Sequence, residues 1–301
     1  MRCIKPITIG ENVVNCGHCY ACRVNYTTEW ALRLIYELST NSAASFLTLT
    51  YDNEHYPIDC GLHKEDLQKF FKRLRINIKR KYHEFAPKIR YYGVGEYGSR
   101  TKRSHYHAIV FGLDNYNDEH RDLVRKSWTN CEPWLFDKDR GRKSAMQEVT
   151  PEDIAYVTGY VQKKLSGELA KEEYGEKQPP FSICSQGLGL DFALKNRERL
   201  INNGFTFFKG HRVGIPRYFC QKFDVRKGDL LNIENNQVKI NENLFSMFVA
   251  EMKKRHIWNI ISNNNDVIKR QYEKWYDDYT FNLADHVFKD FQQRQKLRGG
   301  L

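Results

Sequence analysis

His105-Tyr106-His107 opens an apolar run, His-Tyr-His-Ala-Ile-Val-Phe. On a β-strand the side chains alternate, so both imidazoles fall on one face a few ångströms apart. Two neutral imidazoles so placed can share one divalent cation. A pair hydrogen-bonded at a sheet surface would have the same spacing, so partners decide. Glu96, in Gly95-Glu96-Tyr97-Gly98, closes the preceding apolar stretch. A hairpin would bring its carboxylate to His105 and His107. Two imidazoles and one carboxylate leave coordination positions open for water or a phosphate oxygen.

A second group lies in Ala155-Tyr156-Val157-Thr158-Gly159-Tyr160-Val161-Gln162-Lys163-Lys164. On a helix, Tyr156, Tyr160 and Lys164 share a face, and Lys163 is close enough to that face to replace Lys164. Tyrosines at this spacing also serve core packing. As a nucleophile a phenol needs help at neutral pH, from a polarised phosphate and a nearby ammonium. A third group is Cys16-Gly17-His18-Cys19-Tyr20-Ala21-Cys22-Arg23, with Cys3 as a fourth sulfur. An iron–sulfur pattern would want a further cysteine where Tyr26 stands. Structural zinc is therefore preferred, against the alternative of reduced thiols on a turn.

The elements that must carry these residues follow from periodicity. Phe46 to Tyr51, Ile89 to Tyr97 and His105 to Phe111 read as strands, the last two joined by the Gly98–Ser104 turn. Thr28 to Leu38 reads as a helix with Trp30 and Leu34 on one face. Lys64 to Tyr82 reads as a longer one with Leu67, Phe70, Phe71, Leu74 and Ile78 on its apolar face. Pro151 to Lys164 reads as a helix capped by Thr150, with Glu152 and Asp153 at its positive end. Ser166 to Pro180 is charged and reads as an exposed loop. Phe205 to Ile215 reads as a hairpin, and the chain beyond Asp229 as helical.

The 301 residues carry 48 Lys and Arg against 37 Asp and Glu, a formal charge of +11, and 14% are aromatic. That balance suits nucleic acid, since cations neutralise phosphates and rings stack on bases. Between Gly61 and Val110 stand 13 Lys or Arg and four Asp or Glu, so +9 of the excess is local. Lys72, Arg73, Arg75, Lys79, Arg80, Arg100, Lys102, Arg103 and Lys163 are the expected DNA-binding residues, a charged approach to the His105/His107 strand. No apolar run spans a membrane and the N-terminus has no secretory h-region, so a cytoplasmic protein with reduced or metal-bound cysteines is expected.

Asp-His does not follow the pair, and position 109 is Ile rather than a third alternating His, so neither metallo-β-lactamase-type nor histidine-triad hydrolases fit. The order of an apolar Phe46–Tyr51 strand, a His-Tyr-His strand and a Tyr-x-x-x-Tyr-x-x-x-Lys helix resembles the three motifs of HUH endonucleases. It is most similar to the replication initiation proteins of microviruses, small single-stranded DNA phages, particularly the gokushovirus branch. The Cys16–Arg23 cluster with Trp30, Ser185-Gln186-Gly187-Leu188-Gly189 and Pro216-Arg217-Tyr218 extend the likeness over about residues 1–225. The resemblance implies Mg or Mn on Glu96, His105 and His107. It implies attack by Tyr156 or Tyr160 on a scissile phosphate, and a 5′-phosphotyrosine with a free 3′-hydroxyl. Lys164 would neutralise a phosphate or the leaving phenolate. It further implies single-stranded DNA and a phage origin as substrates, host helicase and polymerase as partners, and the bacterial cytoplasm as location.

The expected architecture is α+β: a central antiparallel sheet of HUH type flanked by helices, with a helical C-terminal extension. The expected division is residues 1–40 for the cysteine cluster and leading helix, 41–228 for the endonuclease domain and 229–301 for the extension. The rival readings are an HUH transposase or relaxase, and a non-catalytic zinc-knuckle nucleic-acid-binding protein.

Overall fold

Eight-residue alternations build the centre of the fold. β4 (Arg90–Tyr97) and β5 (Ser104–Phe111) form an antiparallel hairpin in which Glu96 pairs with His105 and Val94 with His107. β3 (Ala44–Leu49) joins the other side of β5, placing Thr48 opposite His107. Two short strands, β6 (Met146–Glu148) and β7 (Phe181–Cys184), complete an antiparallel five-stranded sheet of order β6-β3-β5-β4-β7. In this computed structural model, residues 3–163, 168–208, 211–225 and 242–275 are described.

Alternation divides the sheet into two faces. Leu47, Leu49, Tyr106, Ala108 and Val110 point one way and meet Leu67, Phe70, Phe71, Leu74 and Ile78 of α2 (Lys64–Tyr82), all buried. The apolar stripe expected on that helix is thus the one that packs. Phe46, Thr48, His105, His107, Tyr92 and Glu96 point the other way. Two helices cover that face: α1 (Tyr20–Thr40), through Trp30 against Tyr92 with ring centroids 4.9 Å apart, and α4 (Pro151–Lys163). α1 starts eight residues before the expected Thr28, because Cys19 supplies its N-cap and the buried Ala21 and Cys22 extend its inner face.

Thr150 caps α4 as expected. Its Oγ1 accepts from Asp153 N at 3.2 Å and its own N–H donates to Asp153 Oδ2 at 2.8 Å, a reciprocal capping box. The expected loop over 166–180 contains a helix, α5 (Glu168–Tyr174). Glu, Leu, Ala and Lys favour helix even where little is buried, and charge alone misled the sequence reading. A small hairpin, β1 (Ile7–Ile9) and β2 (Asn12–Val14), precedes α1.

Residues 190–290 form a second compact unit. The expected hairpin appears there as Phe205–Phe208 paired with His211–Gly214. Helices Glu242–Lys254 and Trp258–Ile261 and a helical stretch over 265–275 gather around Phe205, Phe248, Met252 and Tyr272. The α+β class, with a helical C-terminal region, is borne out.

Candidate active site

The hairpin register brings the carboxylate and imidazoles together. Glu96 Oε1 lies 2.9 Å from His105 Nε2 and 3.1 Å from His107 Nε2. One ligand atom from each of the three residues lies within 4.8 Å of the other two. Glu96 and His107 are buried and His105 nearly so. Burial alone would raise the Glu96 carboxyl. Hydrogen bonds from His105, His107 and Tyr160 outweigh it and hold the group well below the usual carboxylate range. Burial depresses His107, whereas for His105 the bond to Glu96 overcomes burial and raises it.

Each imidazole is fixed by its other nitrogen. His105 Nδ1 lies 3.1 Å from the Arg103 carbonyl, and a carbonyl can only accept, so Nδ1 carries a proton. His107 Nδ1 lies 3.1 Å from Thr48 Oγ1, and its ring stacks on Phe46 at 5.4 Å. With both Nδ1 atoms protonated, both Nε2 atoms are lone-pair donors directed at the Glu96 carboxylate. Two bare imidazole nitrogens and an ionised carboxylate, each oriented by an outer partner, fit a divalent cation.

α4 brings the tyrosines to the same face. Tyr156 Oη donates to Glu96 Oε1 at 2.8 Å and lies 3.5 Å from His107 Nε2. The Tyr156 and Tyr160 rings meet edge to face at 4.8 Å. Tyr160 also bonds Glu96. Tyr156 is 44% exposed, so its phenol is reachable from solvent. Burial pushes Tyr156 up to about 12, and pushes Tyr160 up further. The five expected residues Glu96, His105, His107, Tyr156 and Tyr160 therefore form one cluster. Lys164 lies outside the described residues, as does the side chain of Lys163.

The basic residues divide differently. Arg100 and Lys102 are exposed at the tip of the β4–β5 hairpin, the end that carries Glu96 and His105. Arg103 is bound by the fold: its guanidinium donates to Asn53 Oδ1 and the Tyr51 and Asp52 carbonyls and covers the Tyr56 ring. Lys72, Lys79 and Arg80 are exposed on α2, behind the sheet rather than beside the cluster. Arg73 donates to the Ser127 carbonyl, and Arg75 to the Ile89 carbonyl and Ser185 Oγ, so both anchor α2. The α2 part of the expected charged approach to the histidines is thus displaced to the opposite face, because Tyr106 alternates with the two histidines. Thr48 and Phe46 are site residues the sequence reading did not single out.

Residues 44–165, from β3 through the tyrosine helix, match the family of the replication-associated protein ORF2. This chain is a relative of phage replication-associated proteins. It is 31% identical over 216 residues to replication-associated protein ORF4 of Chlamydia phage 1, covering 68% of this chain and 52% of that protein. It is 28% identical over 243 residues to replication-associated protein VP4 of Bdellovibrio phage phiMH2K, covering 73% and 76%. It is 29% identical over 230 residues to replication-associated protein ORF2 of Spiroplasma virus 4, covering 72% and 69%. The chain thus spans about half the length of the Chlamydia phage relative and more of the other two. No solved structure matches it. The microvirus resemblance read from the motifs is borne out, and the family match includes every residue of the Glu96 cluster. Among the described residues no helix is long and apolar enough to cross a membrane.

Proposed function

We propose that the chain is a replication initiator that nicks and rejoins single-stranded DNA at a phage origin. The observation that carries this is the convergence of two phenols on a His-His-Glu cluster, with Tyr156 Oη 2.8 Å from Glu96 Oε1. Glu96, His105 and His107 would hold Mg or Mn, and such an ion supplies Lewis-acid polarisation of a phosphate oxygen. Tyr156 or Tyr160 attacks phosphorus. The Oη–P bond forms, the P–O3′ bond breaks, the phenol proton is lost and the 3′-oxygen leaves to become a hydroxyl. The product is a 5′-phosphotyrosine, and no nucleotide cofactor is consumed because the phosphodiester energy is kept.

The second phenol, packed on the first, gives a reason for two tyrosines. After one round of synthesis it can cut the regenerated origin while the first still holds DNA. The freed 3′-hydroxyl then attacks the first phosphotyrosine and closes the circle. Arg100 and Lys102 at the hairpin tip, with Lys163 and Lys164, are the cations assigned to phosphates near the site. Host helicase and polymerase are the partners such a primer requires, and the bacterial cytoplasm is where they meet. The proposed catalytic segment is 41–228, preceded by the cysteine-bearing residues 1–40 and followed by the extension 229–301.

The test is incubation with labelled circular single-stranded DNA and Mg or Mn, resolved on a denaturing gel. A covalent adduct is expected from the unaltered chain and none from Tyr156→Phe/Tyr160→Phe. An adduct surviving in that double variant refutes the tyrosine assignment. His105→Ala/His107→Ala should end metal-dependent cleavage while DNA binding persists.

A further inference from the structure

We infer that Cys3, Cys16, Cys19 and Cys22 form a structural zinc site that fixes α1, the helix against which the tyrosine helix rests. All four Sγ atoms lie within 4.8 Å of one another. The closest pairs are Cys3–Cys16 at 3.5 Å, Cys3–Cys19 at 3.7 Å and Cys16–Cys22 at 4.0 Å. A tetrahedron with Zn–S bonds of about 2.3 Å has sulfur–sulfur edges of about 3.8 Å. A disulfide would bring two sulfurs to about 2.05 Å, and all four cysteines are free thiols. The spacing is therefore that of four ligands around one small ion. It is too tight for sulfurs distributed around a cluster of several irons.

The surroundings suit thiolates. Cys16 N–H donates to Cys3 Sγ and Cys19 N–H to Cys16 Sγ, each at 3.3 Å, and such donors stabilise sulfur-borne charge. Soft thiolates select zinc over the hard cations suited to Glu96, His105 and His107.

The hairpin between Cys3 and Cys16 supplies an independent argument. All six residues of β1 and β2 are exposed, including Ile7, Ile9, Val13 and Val14. A hairpin with no buried side chain cannot be held by its own core, and units of that size use a metal or disulfide instead. The same site starts α1. Cys19 occupies the N-cap without a side-chain cap hydrogen bond, and Cys22 is buried in the first turn. Farther along, α1 lies beside α4, and Thr27 Oγ1 reaches the Thr158 carbonyl at 3.4 Å, between the two tyrosines. An ion at the cysteines would thus fix the helix that backs Tyr156 and Tyr160.

The experiment uses the full chain. Metal analysis should find about one zinc per chain, consistent with one four-thiolate site. The same content is expected in His105→Ala/His107→Ala and a loss in Cys16→Ser/Cys19→Ser. Cobalt substitution should give a thiolate-to-metal charge-transfer band that only the cysteine variant loses. Cys3→His, which keeps four ligands, should retain the metal and shift that band, which guards against a variant that merely fails to fold. Removing zinc from the unaltered chain should speed hydrogen exchange over 20–27 and 154–160 while β4–β5 stays protected. Zinc content unchanged by Cys16→Ser/Cys19→Ser, or iron and sulfide in its place, overturns the site. Exchange over 154–160 unmoved by zinc removal overturns its link to the tyrosine helix. A chain that holds zinc at the cysteines yet forms no DNA adduct would refute the nicking function and leave this inference standing.

Discussion

Thr48→Val tests whether the Glu96 cluster is built for a cation. His107 Nε2 can face a cation only if Nδ1 carries the proton, and that proton then goes to Thr48 Oγ1 at 3.1 Å. Valine keeps the shape of threonine and removes the acceptor. His107 is buried, so its N–H would lose its partner at a cost of about 1–3 kcal/mol. Otherwise the proton moves to Nε2, where it blocks coordination and donates to Glu96 Oε1 at 3.1 Å. Both routes weaken the site, and outer partners of ligating histidines are typically worth about 10- to 100-fold in metal affinity. Titration with Mn(II), followed by the electron paramagnetic resonance signal of the free ion, should show a loss in that range for Thr48→Val. Thr48→Ser should recover most of it. Thermal melts of the variants without metal control for folding. A Thr48→Val chain that binds Mn(II) like the unaltered chain would refute the assignment of the His107 tautomer, and with it the reason for reading Thr48 as a positioning residue.

Lys72→Ala/Lys79→Ala/Arg80→Ala should weaken binding to long single-stranded DNA and lower the salt dependence of log K by about 2, at about 0.7 for each phosphate no longer neutralised. Turnover of a saturating short oligonucleotide should not change, because these side chains lie behind the sheet. A fall in that turnover would put them on the reacting strand. Gly189→Ala should destabilise the chain by more than about 2 kcal/mol in urea unfolding. The backbone there has φ +75°, and an added Cβ would sit 2.5 Å from the Arg33 carbonyl oxygen of α1. His120 predicts a pH dependence. Burial lowers its folded-state value while its Nδ1 accepts from Asp114 N–H at 2.9 Å. The unfolded chain then takes up a proton as pH falls below about 6.5 and the folded chain resists, so this stability is present above that pH and lost below it. Urea unfolding at about pH 7.5 and about pH 5 should show the unaltered chain losing up to about 1.4 kcal/mol per pH unit more than His120→Asn. Equal losses would contradict this.

What the sequence could say about the site depended on how far apart the interacting residues lie along the chain. Glu96 and His105 are joined by a short turn, so alternation and hairpin closure together predict their pairing, which the register bears out. Tyr156 and Tyr160 needed only the helical repeat. Thr48 and His107 are 59 residues apart, and alternation states which β3 side chains share a face without giving the register against β5. β6 and β7, of three and four residues, are too short for any periodicity to declare itself. The basic helix shows the same limit from the other side. Its apolar stripe reveals that Leu67, Phe70, Phe71, Leu74 and Ile78 are buried, and they are. Which face of the sheet receives that stripe is decided by Leu47, Tyr106, Ala108 and Val110, residues that are individually ordinary in the sequence. Because Tyr106 stands between the two histidines, the helix that claims Tyr106 is excluded from the histidine face, and that face is left to α1 and α4. Closeness in sequence between the lysines of α2 and the histidines of β5 therefore carried no spatial meaning, whereas one-residue alternation within β5 did.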